Sequence, residues 1–277
     1  MEKVTTARVA TDNTDWACLW QQQMQNATFK GIDAAFWDNW ARSLPIKLEH
    51  SGYVEEMMNR LKLSPEDSLL DVGSGTGALA IPLARRVRRV TALDQSLYML
   101  DIILKKAKDE NISNLTTSNT DWVKAQIGED VERHDVVLVS RSLPSGDDIA
   151  SSLSLINDVA RRACYVTWKA DSYNPLEAEL CRLLDIEYNP FPDYIVLYNL
   201  LYSMGIRANV EIFKTSGQRL FHSLDEAYTQ IVRSQPIEDG HTKQQVMDFL
   251  AARFSYKDGL YHQQRNVVWA LLWWQKE

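Results

Sequence analysis

The chain has 277 residues, 45% of them hydrophobic and 24% charged, with a formal net charge of −7. That length and apolar content can bury a full core, so a disordered or fibrous chain is excluded, and the negative balance argues against a general nucleic-acid surface. Cys18, Cys164 and Cys181 form no C-x-x-C pair and the five histidines are scattered, which points to a reducing compartment, no disulfide framework and no metal site.

Residues 1–60 have no charged lead followed by an apolar stretch, so no secretory signal is expected. The segment is helical in pattern and rich in tryptophan. Helical spacing puts Trp16 with Trp20, and Phe36 or Trp37 with Trp40, on shared faces.

The most informative stretch follows, Leu69-Leu70-Asp71-Val72-Gly73-Ser74-Gly75-Thr76-Gly77. It reads as a buried strand that ends at a carboxylate and enters a tight loop with glycine at alternate positions. Ala78, Leu79, Ala80, Leu83 and Ala84 then recur at helical spacing. Glycines let a backbone turn sharply and approach a ligand closely. The dinucleotide pattern is G-x-G-x-x-G; this loop is one residue shorter to its last glycine, and Asp71 would repel a pyrophosphate. A ligand with both a carboxylate and positive groups suits it better, and S-adenosylmethionine is such a ligand.

Arg85-Arg86-Val87-Arg88-Arg89 closes that helix, where cations complement the dipole. Arg89 to Asp94 is a second short strand ending in an acid, at the spacing of a residue that grips a ribose. Asp94-Gln95-Ser96-Leu97-Tyr98-Met99-Leu100 opens the next helix, and residues 114–118 form a third strand before Asn119-Thr120-Asp121-Trp122. Asp121 also suits a helix N-cap. The fourth strand, His134 to Ser140, carries Ser140-Arg141-Ser142-Leu143 at its carboxyl end, where open α/β sheets place ligands. Arg141 there could meet a substrate anion or pair with a surface acid. Asp147 and Asp148 read as a helix start, and Ala163 to Trp168 as a fifth strand.

A long excursion, 171–205, precedes a sixth strand at Asn209–Lys214. Helices near 225–233 and 243–254 follow, and then a final strand at 266–274. That last run, apolar from Val267 to Trp274, is too short to span a bilayer and reads as a strand buried on both faces. Tyr194, Tyr198 and Tyr202 recur at helical spacing within the excursion, with Tyr173, Tyr188 and Phe191 nearby.

The glycine stretch Leu69–Gly77 resembles the first motif, hh-D/E-hGxGxG, of the class I S-adenosylmethionine-dependent methyltransferases, and Asp94 to Leu100 resembles the family's second motif. The resemblance covers roughly residues 64–171 with specific motifs. It implies an α/β fold: a seven-stranded, mostly parallel, doubly wound sheet of order 3-2-1-4-5-7-6 with the last strand antiparallel, and an N-terminal helical lid. The lid is expected over 1–60 and the methyltransferase domain over 61–277, with the insert 171–205 forming part of the substrate pocket. Cofactor-binding residues implied are Asp71, Gly73, Ser74, Gly75, Gly77, Asp94, Gln95, Met99, Asp121, Trp122 and Ser140, with the adenine near Met99, Asp121 and Trp122. Substrate contacts are expected from Trp37, Trp40, Arg141, Tyr173 and Tyr194.

In-line methyl transfer from a sulfonium needs positioning more than acid–base help. His50, Tyr53 and Glu211 are candidate bases, and none is assigned. After the fourth strand there is no N/D-P-P-Y/F sequence, and Cys164 lies within a strand, so amino-methylating enzymes of that type and cytosine-C5 enzymes do not fit. The expected activity is methyl transfer to a small molecule in the cytoplasm, with no membrane partner. Alternatives are an RNA or tRNA methyltransferase, a nicotinamide-dependent oxidoreductase, and a non-catalytic S-adenosylmethionine-fold binding protein.

Overall fold

A computed structural model describes residues 14–28, 52–143, 148–232 and 240–276. Its strands are β1 (Ser68–Val72), β2 (Arg89–Asp94), β3 (Leu115–Asn119), β4 (His134–Ser140), β5 (Ala160–Lys169), β6 (Asn209–Phe221), β7 (Ser255–Lys257) and β8 (Leu260–Gln275). The helices are α1 (Trp16–Asn26), α2 (Tyr53–Arg60), α3 (Ala80–Ala84), α4 (Leu97–Asp109), α5 (Ile149–Val159), α6 (Pro175–Leu183), α7 (Tyr194–Ser203), α8 (Leu224–Val232) and α9 (Gly240–Ala251), plus a 3-10 turn at Trp122–Lys124.

The sheet order is β3-β2-β1-β4-β5-β8-β6. Strands β1 to β5 are parallel, and β8 runs antiparallel between β5 and β6. The expected order therefore holds, with β8 in the place of the seventh strand. One strand was not foreseen: β7 pairs with β8 across Asp258-Gly259, whose φ angles of 52° and 79° are those of a two-residue hairpin turn. The last two main strands are also longer than their apolar runs, because β6 and β8 pair beyond the core as far as Phe221 and Tyr261.

Period-two alternation divides the core between the two faces of the sheet. Leu70, Val72, Val137, Val139, Cys164 and Val166 face one layer, which α1, α5 and α7 cover. Leu69, Val136, Leu138, Tyr165 and Leu271 face the other, with Tyr53 and Met57 of α2 packed among them. Trp20 is fully buried, with its ring centroid 5.0 Å from that of Trp168, and Trp16 packs against the same layer as the shared helical face predicts. A third cluster joins α6, α8 and α9 through Leu180, Phe221, Ala227, Val246 and Phe254.

In the 171–205 excursion, Asn174 caps α6 and Asp193 caps α7. Tyr194 and Tyr198 pack on the core, whereas Tyr202 is exposed and carries Arg207 over its ring at 4.1 Å. The basic run after α3 is spent locally. Arg85 pairs with Glu110 at 2.7 Å and Arg89 with Glu132 at 3.1 Å, while Arg88 donates to the Glu66 carbonyl. Among the described residues no helix is long and apolar enough to cross a membrane.

Candidate active site

The strand order reverses between β1 and β4, and a ligand crevice in such a sheet lies outside the carboxyl ends of the strands at that switch point. Asp71, Asp94, Asn119, Ser140 and Thr167 all stand at or near those ends. Gly73, Gly75 and Gly77 have φ of 67°, 55° and 79°, a region that residues with a β-carbon rarely enter. Their surroundings differ. A Cβ on Gly73 would lie 2.4 Å from Ser142 Cβ, and one on Gly77 would lie 2.9 Å from Ile103 Cγ1. A Cβ on Gly75 would meet nothing within 4 Å. Gly73 and Gly77 are therefore needed for internal packing, while Gly75 borders open space. The loop runs as turns up to Leu79, so α3 begins at Ala80, two residues later than the apolar spacing suggests.

Hydrogen bonds hold this loop against β2. The Leu93 carbonyl accepts from Gly73 N–H at 2.8 Å and Ser74 N–H at 3.0 Å. One carboxylate oxygen of Asp94 accepts from Gly75 N–H at 2.8 Å and the other from Ser96 N–H at 2.9 Å. Ser96 then caps α4 by accepting from Met99 N–H at 3.1 Å. Lys106 donates to the Thr76 carbonyl at 2.8 Å. The loop and the second acid thus form one prepared unit.

Asp71 is 2% exposed. Burial, followed by the nearby Asp94 carboxylate, pushes its pKa up to about 7, against the opposing pull of Arg141. Arg141 has the left-handed φ of 61°. Its N–H donates to Thr167 Oγ1 at 3.1 Å, and its guanidinium lies 4.2 Å from the ring centroid of Tyr53 and 5.9 Å from that of Trp269. The Tyr53 hydroxyl is 2.8 Å from Ser140 Oγ and 2.6 Å from Thr167 Oγ1.

The raised Asp71 pKa has a consequence for stability. The folded protein holds this proton more tightly than the unfolded chain, whose value is near 3.8. The favourable contribution is complete below about pH 4 and is lost as pH rises through 7. Asp71→Asn cannot ionise. In the cofactor-free protein it is expected to be more stable than the parent at pH 8 but not at pH 4, by up to about 4 kcal/mol. Thermal unfolding across pH 4–8.5 checks this.

Other predicted residues are distributed differently. Met99 is buried on α4 and Gln95 is exposed beside it; the Gln95 carbonyl accepts from Asn119 Nδ2 at 2.9 Å. Asp121 caps the 3-10 turn by accepting from Val123 N–H at 3.2 Å and pairs with Lys124 at 3.0 Å. Trp122 is buried in the core layer that contains Leu93. Tyr173 is exposed and lies edge-on to Tyr188. Trp37, Trp40, His50 and Asp147 lie outside the described residues.

As a candidate base, Glu211 is misplaced, because it pairs with Arg60 Nε at 2.8 Å on β6. Tyr53 is at the site, but burial raises its pKa and its hydroxyl is engaged by two others. Cys164 is fully buried, with burial pushing its thiol up to about 12, which suits an inert core residue. Sequence reasoning passed over Thr167. Its one signal was a hydroxyl near the carboxyl end of an otherwise apolar strand.

A cavity of about 430 Å³ opens beyond the end of β5. Leu19, Gln22 and Gln23 of α1 line one side, and Asp171, Tyr173 and Phe191 of the excursion line the other. Thr28, just after α1, is fastened to the excursion: its N–H donates to the Asn189 carbonyl at 3.0 Å, and its hydroxyl accepts from Asn189 N–H at 2.8 Å.

Residues 69–162 match the methyltransferase domain family model, the span that holds the glycine loop, Asp94 and Arg141. By sequence that span is similar to a methyltransferase domain. An uncharacterized protein of Haemophilus influenzae is 28% identical over 94% of this chain and 96% of its own length. The ribosomal RNA small subunit methyltransferase A of Pediococcus pentosaceus is 32% identical over 28% of this chain, a match that spans only 26% of that enzyme. In fold the chain is similar to magnesium protoporphyrin IX methyltransferase from Synechocystis with bound S-adenosylhomocysteine. That likeness has a TM-score of 0.51 at 13% identity and covers 93% of this chain and 99% of the other. The loop fits a ligand of that kind: open space over Gly75 and a carboxylate held at the end of β2 are what a nucleoside with a charged tail requires.

Proposed function

We propose that this methyltransferase acts on a small-molecule acceptor held in the cavity between α1 and the 171–205 excursion. The observation that carries this reading is the cavity itself. Its volume of about 430 Å³ falls within the range of small-ligand sites, roughly 300–1,000 Å³, and its walls come from the two parts of the chain that flank the matched span. In this reading residues 1–60 form the lid and 61–277 the methyltransferase domain. Tyr173, which lines the cavity, borders the acceptor, and Arg141 and Tyr194 are further contacts in this reading.

Bound S-adenosylmethionine supplies an electrophilic methyl group on a sulfonium. The chain's own residues orient and shield it. Asp94 binds the ribose hydroxyls, the Gly73–Gly77 loop lies along the methionine part with Ser74, and Asp71 carries the charge that an ammonium group requires. Gln95, Met99 and Asp121 border the adenine, with Trp122 supporting them from the core and Ser140 closing the β4 side. No general base is assigned, because alignment of nucleophile and methyl carbon provides most of the acceleration for such a displacement.

A ribosomal RNA acceptor is disfavoured by the net charge of −7 and by the local pairing of the densest basic run. Filter binding to tRNA at physiological salt is expected to show no retention. The direct test is calorimetric titration with S-adenosylmethionine, with NAD as control. Micromolar binding of the former and none of the latter is expected; binding of NAD alone would overturn the reading. Once an acceptor is found by transfer of a labelled methyl group, Tyr173→Ala is expected to raise its KM about tenfold and leave cofactor affinity unchanged.

A further inference from the structure

Tyr53 lies outside the span that matches the methyltransferase model, yet it is 1% exposed and reaches the ends of two sheet strands. Alternation explains how. Asp71 pairs in register with Leu138, and Ser140 pairs with Thr167, so all three polar side chains point to the sheet face that α2 covers. Trp269, on the same face, donates its indole N–H to Thr215 at 3.0 Å and packs edge-on to Tyr53 at 5.1 Å.

The hydroxyl bonding is directional. Tyr53 has one proton to donate, so of its contacts at 2.8 Å to Ser140 and 2.6 Å to Thr167 it donates in one and accepts in the other. Thr167 Oγ1 also accepts from Arg141 N–H at 3.1 Å. The same tyrosine therefore touches Arg141 twice: through Thr167 at the backbone, and through its ring face, 4.2 Å from the guanidinium. A left-handed backbone at a residue with a long side chain persists only when its surroundings over-determine it, and these two contacts do so. Four groups face one another here: Asp71 of β1, Asp94 of β2, Arg141 after β4, and the Tyr53 hydroxyl of α2.

We propose that Tyr53 is a positioning residue that holds Arg141 in place as the counter-charge to Asp71, so that a helix preceding the matched domain sets the charge state of the cofactor pocket. Its relevance to catalysis rests on Asp71 belonging to the cofactor site, as argued above. Tyr53→Phe keeps the ring and removes the hydroxyl; Thr167→Val breaks the same chain from β5; Arg141→Gln removes the charge itself.

The experiment reads the titration midpoint of Asp71 without cofactor. That midpoint comes from the pH dependence of the difference in stability between each protein and its Asp71→Asn counterpart. S-adenosylmethionine affinity is measured over the same pH range. Arg141→Gln is expected to raise the midpoint, and Tyr53→Phe and Thr167→Val to raise it by about half a pH unit or more, weakening cofactor binding at pH 7 roughly twofold. The tyrosine and threonine effects should vanish in an Arg141→Gln background. A Tyr53→Phe protein with a lowered Tm but the parental midpoint would overturn the proposal and leave Tyr53 a packing residue. An unmoved midpoint in Arg141→Gln would overturn it as well. Failure of the parent to bind S-adenosylmethionine would instead count against the cofactor-site assignment, since the cofactor-free midpoints decide the role of Tyr53 independently.

Discussion

Asp94→Ala is expected to weaken S-adenosylmethionine binding by at least about a hundredfold, near 3 kcal/mol, and to destabilise the cofactor-free protein by about 2 kcal/mol. Two separate causes produce the two numbers. The carboxylate accepts Gly75 N–H at 2.8 Å and Ser96 N–H at 2.9 Å, and charge-assisted bonds of this kind contribute about 1.5–3 kcal/mol each before water replaces part of the loss. The affinity loss is larger because, in the proposed reading, the same carboxylate accepts the ribose hydroxyls. Without it the loop loses its Gly75 tie to β2 and keeps only those of Gly73 and Ser74 to the Leu93 carbonyl. Asp94→Asn separates the effects: it keeps one acceptor oxygen, so part of the stability should return while affinity stays low. Calorimetric titration and denaturant unfolding of the three proteins supply both readouts. Unchanged affinity in Asp94→Ala would remove this residue from the cofactor site.

Gly73→Ala is expected to be the most damaging single methyl in the loop. The new Cβ would stand 2.4 Å from Ser142 Cβ and 2.8 Å from Ser142 Oγ, and that serine is anchored to the Val72 carbonyl, so it cannot swing aside without loss of its own hydrogen bond. Left-handed strain at φ 67° adds about 1–2 kcal/mol, and overpacking about 1–3 kcal/mol more. A destabilisation of about 3 kcal/mol and loss of methyl transfer follow. Gly75→Ala is the instructive contrast. It shares the backbone strain, at φ 55°, but its Cβ enters open space. It should cost only about 1 kcal/mol of stability while reducing cofactor affinity tenfold or more, because the methyl occupies the volume over the loop. Equal stability losses in the two variants would contradict this division of labour.

The glycine loop and the two acids were legible from the chain because their chemistry is local. A strand that ends in a carboxylate, three alternate glycines and a second strand ending at Asp94 are all near neighbours in sequence, and their spacing already carries the geometry. The topology was legible through the family resemblance, and the apolar run of β8 is buried between β5 and β6. The helix starts at Asp121 and Asp148 followed from residue type, each accepting from a backbone N–H, whereas the caps by Ser96 and Asn174 were found only in the structure.

What stayed hidden depends on partners distant in sequence. Tyr53 looked like a free phenol and a possible base; 114 residues later Thr167 takes up its hydroxyl, and only the sheet register brings them within reach. Arg141 read as a cation looking for an anion, but stacking on Tyr53 and the left-handed backbone that permits it are tertiary facts. Trp122 sits beside an acid that the motif assigns to adenine, and its burial among core residues is a tertiary fact as well. Asp71 was visible as a carboxylate, whereas its pKa near 7 required burial and the approach of Asp94. By itself the sequence determined where a charged, glycine-lined cofactor loop would form, since backbone freedom and strand-end position are written residue by residue. The tertiary structure alone decided how its charges are balanced, because burial and Coulomb coupling belong to groups that meet only once the sheet is assembled.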